Sequence, residues 1–103
     1  MKRRQVELSP EARRHVRVIE AWWAANRRAA QNLFADELEA AVARLETTPA
    51  SGRPYPHPTV AGVRRLLLPR TRYGVYYLLD EDGLVVRIHA IWHTSREGGP
   101  PLE

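Results

Sequence analysis

The residues with most to offer chemically sit close together in the chain: Arg64, Arg65, Arg72, Tyr73, His89 and His93, with Arg96 just beyond. A ribonuclease that works without a metal needs a base for the 2′-hydroxyl, a cation for the pentavalent phosphate and an acid for the leaving 5′-oxygen. His93 can serve as acid or base, His89 is a further base candidate, and Arg64, Arg65 and Arg96 can supply cations. The same side chains, with Arg72, suit a different use equally well, as rim residues that pair with the carboxylates of a protein partner. Metal chemistry is not expected. His89 and His93 are four apart in a strand, so roughly 13 Å separates them along one face, and the chain has no cysteine. The sequence carries no glycine-rich phosphate loop, no His-Glu-x-x-His helix and no serine elbow, and no cofactor is expected.

These side chains belong to a run, Val63 to His93, rich in β-branched and aromatic residues and divided by two turn signals, Pro69-Arg70-Thr71 and Glu81-Asp82-Gly83. The pattern predicts three antiparallel strands. In the last of them, regular alternation sends Val86, Ile88, Ala90 and Trp92 towards the helices and Arg87, His89, Ile91 and His93 to the other face. In the middle strand Val75, Tyr77 and Leu79 alternate with Gly74, Tyr76 and Leu78, so both faces are apolar. An outer face holding Tyr76, Leu78 and Ile91 is more apolar than an open antiparallel sheet usually shows to water. A partner, a second copy, or the loop from Pro49 to Pro58 is expected to cover it.

The elements that must position this sheet come first in the chain. Gln5 to Leu8 alternates polar and apolar, which suits a short half-buried strand. Ser9-Pro10-Glu11 then supplies an N-cap, a first-turn proline and an acidic first turn. The helix that follows buries Ala12, Val16, Ile19 and Trp23, with Trp22 widening the stripe, and leaves Arg13, Arg14, Arg17 and Glu20 for the other face. Asn26-Arg27-Arg28 breaks the pattern, and a second periodic run continues through Ala30, Leu33, Phe34, Leu38, Ala41, Val42 and Leu45. Together they predict an αα-hairpin that Thr47-Thr48-Pro49 ends. From Ser95 onward there is no periodicity, and residues 97–103 are expected to form a flexible tail.

A chain of 103 residues fits one domain, 1–103, with a core that needs no metal or disulfide. No stretch reaches the length of an apolar membrane span or of a signal-peptide core, so a cytoplasmic protein with no membrane partner is expected. The formal charge is +4, from 16 Lys and Arg against 12 Asp and Glu. Nearly every cation is arginine, which points to an acidic partner, protein or nucleic acid.

Taken in order, IEAWWAANRRAAQNLFADELEAAVARLETTPASGRP, GVRRLLL, RTRYGVYYLLDEDG and VVRIHAIWHTSRE resemble the RelE/ParE superfamily of bacterial type II toxins, from Val6 to Glu97. Four features carry the resemblance most specifically: Leu45-x3-Pro49-x2-Gly52, the strand start Gly62-Val63-Arg64-Arg65, Tyr73-x3-Tyr77, and His93-x2-Arg96. The resemblance implies an α+β fold with an N-terminal strand and an antiparallel helical hairpin packed on a twisted antiparallel sheet. It also implies a cognate antitoxin whose acidic, amphipathic segment wraps the toxin in a hetero-oligomer, with Tyr76, Leu78, Arg87, His89 and Ile91 as the expected contacts.

The superfamily divides by mechanism. RelE-like members cut mRNA on the ribosome and commonly carry an arginine after the aromatic that opens the middle strand; here Gly74 follows Tyr73. They also tend to alternate lysines where this chain has Leu66, Leu67 and Leu68 after Arg64 and Arg65. ParE-like members are similar to this chain in the long hairpin, the Gly-Val-Arg-Arg strand and the His-x2-Arg ending, and their usual target is DNA gyrase. The expectation is a ParE-like toxin, not an enzyme, meeting its target through Arg64, Arg65, Arg72, His93 and Arg96. The alternative is a metal-independent RelE-like endoribonuclease acting on the ribosome and mRNA. A second alternative is a non-toxic module that binds the antitoxin and regulates its own operon.

Overall fold

The computed structural model describes residues 3–102. Strand β1 (Gln5–Leu8) leads into helix α1 (Pro10–Asn26), a single 3-10 turn (Arg28–Ala30) and helix α2 (Leu33–Thr47). Strands β2 (Arg53–Pro54), β3 (Arg64–Leu67), β4 (Tyr73–Leu79) and β5 (Val85–His93) follow. They form one five-stranded sheet in the order β1-β5-β4-β3-β2. The expected α+β fold is present, with one change to the sheet. Strand β1 lies parallel to β5, pairing Gln5 with Val85 and Leu8 with Ile88, so the sheet is mixed.

Helix α1 starts where its cap residues dictate. The Ser9 hydroxyl accepts the Ala12 N–H at 3.1 Å, and Pro10 occupies the first turn, where no N–H is needed. The hairpin covers one sheet face with Ala12, Phe34, Leu38, Ala41 and Leu45 against Leu66, Val75, Tyr77, Val86, Ile88 and Ile91. Trp23 packs at the margin of this core, whereas Trp22, expected beside it, is 45% exposed.

The last strand departs from simple alternation. Ala90 pairs with Tyr76 but Ile88 pairs with Tyr77, so His89 is an extra residue in a β-bulge. Beyond it the faces exchange: Ile91 enters the helix-covered core, while Ala90 belongs to a second cluster with Val63 and Tyr76 on the outer face. The expectation of Ile91 on the outer face is therefore corrected, because a two-residue period cannot be carried through a bulge. His89 and His93, expected on one face, are likewise separated by it.

The outer face is covered by the chain itself. Tyr55, Val60, Leu78, Trp92 and Leu102 pack on the second cluster, and the Tyr55 ring meets Tyr76 edge-on at 4.9 Å. Tyr76 lies on the outer face as expected, and the loop from Pro49 to Pro58, one of the expected covers, contributes to leaving it only 2% exposed. The segment after Glu97 returns to this face, with Pro100 buried. No helix among the described residues is long and apolar enough to cross a membrane.

Candidate functional site

The cations that a nuclease would need together are held apart. Arg64 pairs with Tyr77 on the helix-side face, and Arg65 pairs with Tyr76 on the outer face. His93 pairs with Tyr73 at the opposite end of β4. Four residues along β4 and two strand spacings across put His93 roughly 13 Å and about 10 Å from Arg64 in the two directions. Arg64 is also occupied: its Nη1 donates to the Gly52 carbonyl at 2.7 Å and, more weakly, to that of Ala50 at 3.4 Å. It fastens the loop after α2 to the sheet.

Gly74 is buried, and the reason lies across the strand. A Cβ there would stand 2.9 Å from Arg65 Cδ and 3.1 Å from Tyr76 Cε1, so the Arg65 stem lies in the space a side chain would take. Its guanidinium ends 6.0 Å from the centre of the Tyr55 ring. The cation missing from β4 is thus replaced on this face by one from β3, directed towards the covering loop.

His93 and Arg96 do come together, in a cleft of about 420 Å³ between α1 and the end of β5. Its walls include Val18, Trp22 and Trp92, and its basic side chains are Arg14 and Arg96, with the imidazoles of His15 and His93. Arg96 lies over the Trp92 ring at 3.6 Å. The His93 Nδ1 accepts the Ser95 N–H at 3.1 Å and lies 2.7 Å from the Ser95 hydroxyl, so the neutral ring presents Nε2–H as a donor. That tautomer offers no free lone pair to a 2′-hydroxyl.

His15 closes the gap left where β1 ends. Its Nδ1 accepts the Ile91 N–H at 3.1 Å, satisfying a strand edge that β1 no longer reaches, and its ring meets Trp92 at 5.6 Å. Burial lowers the His15 pKa; Glu11 opposes the shift, and Arg14 and Arg96 add to it. His89 is also lowered, by burial and then by Arg87, which itself pairs with Glu7 at 3.0 Å.

Sequence reasoning missed Arg14, His15 and Trp22 as companions of His93 and Arg96. A signal existed. Arg14, Val18 and Trp22 recur every four residues and so share one face of α1, where two of the three are large and apolar. Val18 is 66% exposed. Of the remaining expected residues, Arg72 and Arg87 are exposed while Leu78 and His89 are half-buried. Among the described residues no group of three or more His, Cys, Asp and Glu could hold a metal ion.

A helical hairpin laid across a five-stranded mixed sheet is a fold shared with solved toxins of the ParE and RelE type. The toxin fold of a chromosomal ParDE system from P. aeruginosa superposes with a TM-score of 0.69 at 20% identity, covering 87% of this chain and 95% of that one. The RelBE2 toxin–antitoxin complex from Mycobacterium tuberculosis gives 0.65 at 22% identity, covering 93% and 97%. A variant of E. coli RelE in the free state gives 0.56 at 10% identity, covering 92% and 86%. No curated protein matches the sequence significantly. The family model for the ParE toxin of the type II toxin–antitoxin system, parDE, matches residues 6–98, and the chain belongs to that family.

Proposed function

We propose that this ParE-family toxin arrests bacterial growth by poisoning DNA gyrase in the cytoplasm, acts as a single domain, and is neutralised by a cognate antitoxin. The observation that carries the first part is the dispersal of the nuclease-type residues. Arg64 is tied to loop carbonyls, Arg65 lies on the opposite face, and the His93 Nδ1 lone pair is occupied. His93 and Arg96 stand together, but with the Nδ1 lone pair occupied they offer no base to a 2′-hydroxyl, and in-line attack then has nothing to initiate it. Arg72, His93 and Arg96 remain the proposed target contacts. Arg64 and Arg65 take part in holding the covering loop.

The antitoxin proposal is supported by the toxin–antitoxin systems among the structural neighbours and by the α1–β5 cleft. Apolar walls with arginine and histidine at the rim suit an amphipathic segment that carries carboxylates. Arg87, His89 and Leu78 stay in the proposed contact set; Tyr76 and Ile91 do not, being buried. Expression without antitoxin tests the function: growth should stop with induction of the DNA-damage response and with intact transcripts. Ribosome-dependent cuts in mRNA, lost in Arg96→Ala or His93→Ala, would establish the RelE-like reading instead. A harmless protein would favour the binding module.

A further inference from the structure

A second hollow, of about 420 Å³, opens beside the first between the end of α1 and the β3–β4 turn, and Arg27, Arg70 and Arg72 converge on it with Trp22, His93 and Ser95. No carboxylate lines it. Among the described residues the ion pairs are Arg14–Glu11 and Arg87–Glu7, so none of these three arginines is in a salt bridge, and only Arg70 has its charge felt by a carboxylate, that of Glu37. Three cations that line one hollow repel one another, an arrangement that an anion relieves.

The turn that presents two of them is rigid and strained. Glu37 on α2 accepts the Arg70 N–H at 2.9 Å, the Thr71 N–H at 2.9 Å and the Thr71 hydroxyl at 2.7 Å. The Glu37 carboxylate is thereby engaged by the backbone and hydroxyl of the turn. Arg72 has φ of +69°, the only non-glycine residue with positive φ among those described. Its N–H donates to the Leu68 carbonyl at 2.9 Å and its carbonyl accepts the Thr94 N–H at 2.9 Å. A tight turn in this conformation favours glycine, and strain of this sort concentrates at binding sites. On the opposite wall the half-exposed Trp22 is held by the edge of Trp23 at 5.5 Å, with the Arg27 guanidinium 5.7 Å from its ring. A planar aromatic face beside three arginine forks matches a ligand with a flat base and a phosphate chain.

We propose that this hollow binds nucleoside phosphates, with the base against Trp22 and the phosphates held by Arg27, Arg70 and Arg72. The volume suits a single nucleotide, and the hollow shares Arg72 and His93 with the proposed target contacts, so binding is measured on the chain without its target. The phosphate-bearing ligand is either a free nucleotide or the end of a single strand of nucleic acid.

The test is titration of the full chain with AMP, ATP, inorganic triphosphate and a short oligothymidylate, read by tryptophan fluorescence and calorimetry at about 0.15 M ionic strength. ATP is expected to bind more tightly than AMP, and more tightly than triphosphate. Trp22→Leu should abolish the preference for ATP over triphosphate. Arg70→Gln and Arg72→Gly should each weaken every phosphate ligand by about tenfold or more. Arg72→Gly should do so without lowering the melting temperature, which separates a lost contact from a lost fold. An oligothymidylate that binds more tightly than ATP assigns the site to nucleic acid, and the reverse order assigns it to free nucleotide. Binding weaker than about 1 mM for all four ligands, binding retained in the Arg70→Gln/Arg72→Gly double variant, or triphosphate bound as tightly as ATP would overturn the proposal.

Discussion

The Tyr77 hydroxyl donates to the Pro49 carbonyl at 2.7 Å and accepts the Gly52 N–H at 2.8 Å, which ties the sequence pattern Pro49-x2-Gly52 to the middle strand. A Cβ at Gly52 would stand 2.6 Å from that hydroxyl, so glycine is required there by close approach. Tyr77→Phe leaves a buried N–H without its partner and should cost about 1–3 kcal/mol, measured by denaturant unfolding; an unchanged midpoint would show that the loop relaxes freely. Glu37 gives a pH signature. Burial raises its pKa, but the Thr71 hydroxyl and the Arg70 and Thr71 N–H groups outweigh burial and leave it below its ordinary value. Its stabilisation is complete above the ordinary carboxylate range and is lost as pH falls through the depressed folded value. Glu37→Gln should therefore lower the melting temperature at neutral pH and converge with the parent in acid. His15 and His89 act in a higher window: their folded pKa values lie below 6.5. The unfolded chain then binds more protons, so stability should rise as pH approaches 6.5 from below and level off above it. Scans across this range, with His15→Leu reducing the slope, check the sign.

At the scale of elements, much of the architecture was legible. The Ser9-Pro10-Glu11 start of α1, the hairpin break near Arg27 and the three-strand run from Val63 to His93 all follow from caps, periodicity and turn residues. The parallel pairing of β1 was not legible, because a short alternating strand has no mark of its partner or its direction. The bulge at His89 was hidden for a related reason: the extra residue is defined only by the register of β4. That one residue moved Ile91 from the outer face into the core, and with it part of the expected antitoxin surface. Ile91→Asp should accordingly abolish folding, since an isolated carboxylate buried among Val75 and Tyr77 costs several kcal/mol. Val18→Asp on the exposed face of α1 should leave the melting temperature within about 2–4 °C of the parent, the shift that a surface change of up to about 0.5 kcal/mol gives, while weakening antitoxin capture at least about tenfold. Equal capture by the variant would remove the α1–β5 cleft from the antitoxin interface.

For the molecule as a whole, the sheet separates two tasks. Its helix-covered face carries the main core, and its outer face is sealed by the Tyr55 loop and the segment ending at Leu102. The proposed contacts gather at the end of the sheet, where cations from helix, turn and strand surround the exposed Trp22. The sequence pointed to His93, Arg96 and Arg72 but could not show that Arg64 and Arg65 stand elsewhere, since adjacent residues in a strand face opposite ways and only the loop carbonyls reveal what Arg64 does. The central claim, a toxin that acts on gyrase without cutting RNA, is tested most directly with the purified chain and purified gyrase. The account predicts loss of supercoiling and accumulation of cleaved DNA complexes, with no cleavage of mRNA on programmed ribosomes in parallel. Unimpaired supercoiling together with A-site cleavage of the message would contradict it.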